Sequence, residues 1–209
     1  GVTEAHSQNF IKNFNSVSAF VQFGNGMLFA GDDGIHGPEL WKTDGTVAGT
    51  VMVKDIYTGT NGSGITSIGI FKGNAYFAAN DGIHGTQLWR SDGTVNGTVM
   101  VKNVGPTPTG YGFQPRLFTT YNGLLYFVGT SDGITFSLWK TDGTSNGTVQ
   151  VTVNDYSIIS QLVVAGNKLY FSKNGLWASD GTAAGTKQIP VDNNQILGML
   201  TNINNNLVF

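Results

Sequence analysis

Residues 40–50 read LWKTDGTVAGT, and the same formula returns at 88–98 (LWRSDGTVNGT), at 138–148 (LWKTDGTSNGT) and at 176–186 (LWASDGTAAGT). The shared pattern is L-W-x-[S/T]-D-G-T-x-x-G-T, and its internal spacing is the same in all four copies. Successive tryptophans of the pattern lie 48, 50 and 38 residues apart. A period of this size indicates a repeat architecture in which each copy is one structural unit.

Each unit reads as four short strands, which we call a to d. An apolar triplet, LYF at 125–127 in the third unit, precedes the formula and follows a turn-forming pair, here Asn122 and Gly123. Another apolar segment precedes that pair, and one more follows the formula, such as VMV at 99–101. Four antiparallel strands per unit predict a β-propeller blade, whereas the repeats of the competing β-solenoid are shorter.

The sequence therefore predicts a single all-β propeller domain. Four complete blades are expected at about 17–57, 66–104, 113–153 and 158–191, with a partial blade at 196–209. Residues 9–15 resemble strand d of the later units, which predicts a strand d of a preceding or closing blade. The strands fall one short of five full blades, so we expect an excerpt of a longer ring. Unit four passes directly from Phe171 to Leu176, without the b–c loop of the other units.

The composition excludes several classes of protein. The 209 residues include no cysteine, which excludes disulfides and cysteine-ligated zinc. The 11 Lys and Arg residues and a formal net charge of −2 leave no basic footprint for nucleic acid. No apolar run is long enough to span a bilayer. The 30 glycines and the 40 % of apolar residues predict a substantial core with many tight turns.

The residues of the repeated formula are predicted to be structural. Between strands c and d the chain must reverse, so a glycine with positive φ and an aspartate that accepts backbone N–H groups are expected at every turn. The tryptophans are expected to fill the gaps between blades, with a sugar-stacking platform as the alternative. These structural positions are Trp41, Trp89, Trp139, Trp177, Asp44, Asp92, Asp142, Asp180, Gly45, Gly93, Gly143 and Gly181.

The b–c loops carry the remaining candidate chemistry. Asp33, Asp81 and Asp132 offer oxygen ligands that calcium could use, but the spacing of a known calcium loop is absent, so we expect no cofactor. His36 and His84 share one loop position and are explained by turn polarity. With 3 histidines, no cysteine and no G-x-S-x-G elbow, the chain lacks a nucleophile and base pair, which argues against an enzyme.

The repeat resembles the ELWxxDGT repeat proteins, exported β-propellers found largely in Bacteroidota. The resemblance rests on residues 38–56 (PELWKTDGTVAGTVMVKDI) and their three repeats, and it extends from about residue 10 to 209. Gln87, Ser137 and Gly175 depart from the family's glutamate, and Asn103 and Asn154 depart from its Lys-Asp-Ile ending. The resemblance implies an extracellular or cell-surface protein, with members similar to type IX secretion cargo, to adhesins and to accessory components of gliding or secretion machinery.

The leading functional hypothesis is a non-catalytic, secreted or cell-surface module that binds a protein or glycan or serves as a scaffold. A rigid ring with variable rim loops places recognition on those loops. One alternative is a polysaccharide-active enzyme with its site at the central channel. Another is an architectural subunit of an outer-membrane secretion or gliding machine, with no soluble ligand.

Overall fold

The computed structural model describes residues 12–105, 111–152, 158–191 and 198–209. Its strands form four antiparallel sheets of four strands and one of two, each in simple meander order. The first sheet holds β1 (Ser16–Phe23), β2 (Gly26–Asp32), β3 (Pro38–Thr43) and β4 (Val51–Lys54). The second holds β5 (Ile68–Phe71), β6 (Asn74–Asn80), β7 (Thr86–Ser91) and β8 (Val99–Lys102).

The remaining sheets repeat this plan. The third holds β9 (Arg116–Tyr121), β10 (Leu124–Gly129), β11 (Ser137–Thr141) and β12 (Val149–Gln150). The fourth holds β13 (Gln161–Ala165), β14 (Lys168–Ser172), β15 (Leu176–Ser179) and β16 (Lys187–Ile189), and the two-stranded sheet holds β17 (Thr201–Ile203) and β18 (Asn206–Val208). Within the described residues, no helix is long and apolar enough to cross a membrane.

The sheets follow one another as the blades of a β-propeller, which confirms the predicted fold class. The first strand of each sheet contacts the first strand of the next, in the order β1, β5, β9, β13 and β17. In the first three blades the second strand is the most deeply buried, because a neighbouring blade can cover each of its faces. In blade four, β14 and β15 are joined by residues 173–175 alone, so the predicted loop deletion is confirmed.

The core lies between neighbouring blades rather than within one sheet. Leu28 and Leu40 of the first blade pack in one cluster with Phe77 and Trp89 of the second. Corresponding clusters join the second blade to the third and the third to the fourth. A blade is therefore stabilised mainly by its neighbours, as in other repeat proteins.

Residues 9–11 of the predicted strand d lie outside the described residues, so only the end of that segment can be compared with the structure. Residues 12–15 form no strand. Instead, the ring of Phe14 packs edge-on against Trp41, with centroids 4.9 Å apart, just before strand β1 begins. Phe113 makes the same contact with Trp139 at 4.7 Å before strand β9. Phe14 is thus the counterpart of Phe113. Each ring packs beside the tryptophan of its own blade, just before the first strand of that blade.

Candidate functional site

The turns between the third and fourth strands are closed by the same hydrogen bonds in every blade. Asp44 Oδ1 accepts from the amide N–H and the hydroxyl of Thr46, at 2.9 and 2.7 Å. The Thr46 hydroxyl accepts from the Gly49 N–H, and the Thr50 hydroxyl donates to the Thr46 carbonyl. The hydrogen bonds from Thr46 hold the pKa of Asp44 below its usual range, and the one from the Thr46 side chain has a larger effect than the one from its amide. The network recurs around Asp92, Asp142 and Asp180.

The second glycine of each turn leaves no room for a side chain. A Cβ added at Gly97 would overlap the Asp92 carboxylate, and its counterparts in the other turns meet their own aspartates in the same way. The aspartate can bond across the turn only because this glycine lies beneath it. The spacing between the aspartate and the second glycine is therefore the same in all four turns for a steric reason.

Replacing Gly97 with alanine is expected to lower the free energy of unfolding by about 2–4 kcal/mol, since the Asp92 carboxylate must leave its partners. Chemical denaturation followed by circular dichroism measures this loss. The neighbouring exposed residue Asn96 provides the control, because N96A should change the unfolding free energy by less than about 0.5 kcal/mol. A cost for G97A as small as that of N96A would contradict the steric role.

In the second, third and fourth blades, the first glycine of the turn meets the preceding blade. A Cβ at Gly143 would lie 2.6 Å from the Tyr76 hydroxyl, and one at Gly181 would overlap the Tyr126 hydroxyl. Lysines strengthen two of these contacts: Lys42 Nζ donates to the Gly93 carbonyl at 3.0 Å, and Lys140 Nζ makes the equivalent bond to the turn of the fourth blade at 2.9 Å. These glycines serve contacts between blades as well as the turn.

Trp89, Trp139 and Trp177 lie in the clusters that join neighbouring blades, and Trp41 packs against Phe14. Trp41, Trp89 and Trp139 are only 2, 7 and 6 % exposed, so none of these rings presents an open face to a sugar. The Trp139 indole N–H donates to the Gly129 carbonyl at 3.2 Å. Within the described residues, the indole N–H groups of Trp41 and Trp89 have no acceptor. The ring of Trp177 is partly exposed and stacks on Phe171, with centroids 6.0 Å apart.

Each b–c loop of the first three blades is held by its aspartate. Asp33 Oδ1 accepts from the N–H groups of Ile35 and His36, while Oδ2 pairs with His36 Nδ1 at 2.9 Å. Burial of Asp33 opposes ionisation, but the hydrogen bonds from His36 and Ile35 outweigh it and lower the pKa to about 2. The hydrogen bond to Asp33 in turn raises the pKa of His36.

The second and third loops repeat this arrangement. Asp81 pairs with His84 at 2.6 Å, and Asp132 bonds the amide and the hydroxyl of Thr135. The two histidines thus bond to their own loops rather than to each other. The carboxylates proposed as calcium ligands are engaged by loop atoms. In the described part of the chain, no three His, Asp or Glu residues converge as a metal site would require.

These loops present an apolar side chain that the sequence analysis did not single out. Ile35, Ile83 and Ile134 follow the Asp-Gly pair of their loops and are 66, 82 and 57 % exposed. The three loops join second to third strands, so they share one end of the blades, which we call the loop rim. The turns between third and fourth strands lie at the opposite end, the turn rim. The recurrence of D-G-I in three units was the available signal.

A second feature that sequence reasoning left without a role is Glu39. Its buried carboxylate accepts from the Ile56 N–H at 2.9 Å and the Tyr57 N–H at 3.1 Å, which ties strand β3 to the segment after β4. Burial raises the pKa of Glu39 to about 7 against these hydrogen bonds, and the nearby Asp55 carboxylate adds to the rise. Gln87, at the same position of blade two, accepts from the Val104 N–H and donates to the His84 carbonyl.

Comparison with known proteins identifies the architecture but no family. No protein-family model and no curated protein match the chain. Among solved structures, the chain is similar to puromycin hydrolase, with a TM-score of 0.59, 17 % identity, and coverage of 86 % of this chain and 30 % of that one. It is also similar to prolyl oligopeptidase B from Galerina marginata, with a TM-score of 0.58, 11 % identity, and coverage of 90 % and 28 % respectively.

The chain thus spans less than a third of the length of these two proteins. At such low identity the likeness concerns the fold alone. Together with the meander sheets and their neighbouring first strands, it shows that the chain has a β-propeller architecture.

Proposed function

We propose that this propeller is a non-catalytic binding or scaffold module, exported to the cell surface or beyond, whose loop rim docks a protein or glycan partner. The observation that carries the proposal is the row of exposed isoleucines, Ile35, Ile83 and Ile134, one per blade. Contiguous exposed apolar surface marks interaction sites, and we infer that these three side chains belong to one such surface. The exported setting, with type IX secretion or gliding adhesion as its context, is supported by the repeat formula of residues 38–56.

The loops that carry these isoleucines are preorganised. In each of them an aspartate carboxylate accepts two backbone N–H groups within the same loop. A loop that is already ordered loses less conformational entropy when a partner binds. The isoleucines are therefore presented in fixed positions on a rigid scaffold, which favours recognition.

The proposal assigns the domain no catalytic role. The aspartates that recur in the chain, such as Asp44 and Asp33, accept hydrogen bonds from their own turns and loops. A general acid or base must instead be free to exchange a proton with a substrate. The low pKa of Asp33, about 2, also keeps that carboxylate from acting as an acid near neutral pH.

The triple variant I35S/I83S/I134S tests the loop rim. We expect it to lose partner binding in a quantitative pull-down from a cell-surface extract, with unchanged thermal stability, because the replaced side chains are exposed. The matched control is V47S/V95S, which removes two valines that are 68 and 59 % exposed on the turn rim. Equal recovery of the partner by the wild type and the triple variant, or equal loss in both variants, would refute the role of the loop rim.

A further inference from the structure

The turn rim contains a cleft between the first and second blades. Its volume is about 540 Å³, which lies within the range of small-molecule sites. Phe23 and Met27 contribute apolar surface, the turns of the two blades contribute Asp44 and Asp92, and strand β3 contributes Lys42. The cleft therefore combines an aromatic ring, two carboxylates and an ammonium group.

This interface departs from the repeat at one position. In the second and third blades, Tyr76 and Tyr126 reach the turn glycine of the following blade. The first blade has Leu28 at the same strand position, and Leu28 is fully buried. The contact with Gly93 is made instead by Phe23, whose ring would lie 3.1 Å from an added Cβ. At this interface the aromatic ring beside the turn glycine therefore comes from the end of strand β1, and it lines the cleft.

The polar groups of the cleft are suited to hydroxyl donors. Asp44 Oδ1 and Asp92 Oδ1 accept from their own turns. No hydrogen bond to the second oxygen of either carboxylate is found among the described residues, so these oxygens can accept from a ligand. The ammonium group of Lys42 is fixed on the Gly93 carbonyl and partly balances the two negative charges. A neutral ligand with several hydroxyl groups fits this mixture of acceptors and a donor.

From this geometry we propose that the cleft between blades one and two binds a pyranose sugar, with an apolar face of the ring against Phe23 and hydroxyl groups donated to Asp44 and Asp92. Aromatic rings provide an apolar surface of defined shape, and charged acceptors make the stronger hydrogen bonds. The site lies on the rim opposite to the exposed isoleucines, so it is independent of the proposed partner surface. The domain would then hold a sugar on one rim and a partner on the other.

Saturation-transfer NMR with the methyl glycosides of glucose, galactose, mannose, fucose and N-acetylglucosamine tests the proposal. We expect at least one glycoside to bind the wild type, and its dissociation constant to rise about tenfold or more in F23L and in D44N/D92N. Asparagine keeps the Oδ1 acceptor that closes the turn and replaces only the second oxygen. The turn network is therefore retained in D44N/D92N, which circular dichroism can verify.

The matched control is D142N, which makes the same change in the turn of the third blade, where Tyr76 lies against Gly143. Sugar binding should be unchanged in D142N. Three results would overturn the proposal: no glycoside binds, binding persists in F23L and D44N/D92N, or D142N loses binding equally. Binding of arginine amide in place of every glycoside would likewise overturn it, in favour of a cationic ligand.

Discussion

Replacing Trp139 with alanine is expected to lower the free energy of unfolding by about 3–5 kcal/mol. Its ring is 6 % exposed and packs edge-on against Phe113 within the cluster that joins blades two and three. The variant would also leave the Gly129 carbonyl without its indole donor. Urea denaturation followed by far-ultraviolet circular dichroism measures the loss.

Trp177 provides the comparison within the same chain. Its ring is only partly buried, so W177A should cost roughly half as much as W139A, about 2 kcal/mol. W139F should fall between the wild type and W139A, because phenylalanine can keep the edge-on contact but has no N–H. Equal costs for W139A and W177A, or a cost for W139A below about 1 kcal/mol, would contradict a packing role that depends on burial.

The second large effect concerns pH. The pKa of Glu39 rises from 4.5 to about 7 on folding, so the folded state binds more protons than the unfolded state between these values. Stability contributed by protonated Glu39 is therefore fully present below about pH 4.5 and is lost as the pH rises toward 7, by up to about 3 kcal/mol. The raised pKa of His36 acts in the same direction, whereas the lowered pKa of Asp33 acts at more acidic pH.

The variant E39Q isolates the contribution of Glu39. Relative to the wild type, E39Q should gain stability as the pH is raised from 5 to 8, because its amide does not titrate. Urea denaturation at several pH values measures this difference. The reciprocal variant Q87E should introduce the same pH dependence into blade two, where the buried Gln87 occupies the equivalent position. A pH-independent difference between E39Q and the wild type would contradict the assignment.

The repeated formula was sufficient to predict the blades, because its residues act locally or at every interface. The turn bonds of Asp44 lie within a few residues of it, so its role follows from spacing alone. The first strands of the first and third blades contain irregularities in their pairing with the second strand, and these were not predictable in this way. Ala19 and Leu117 adopt positive φ at register shifts, a conformation that neither residue type signals.

Other features depend on contacts that are remote in sequence. The position of Phe14 beside Trp41 is one of them, because the apolar stretch around Phe14 does not signal which side chain it meets. The role of Glu39 required the position of the chain at Ile56. The cleft between the first two blades required knowing which side chain reaches Gly93, since the sequence shows Leu28 but not that Phe23 makes this contact.

The contact between a tyrosine and the next blade's glycine also bears on how such a chain can be lengthened or rearranged. Tyr76 and Gly143 belong to different repeats, so this contact depends on which two copies are neighbours and not on either copy alone. A duplicated second blade would keep Tyr76, and each copy would make the tyrosine–glycine contact with the blade that follows it. A duplicated first blade would carry Leu28 and Phe23 instead and would create a second junction lined by Phe23. Gene duplication could thus multiply ligand sites or structural joints, depending on which copy is inherited.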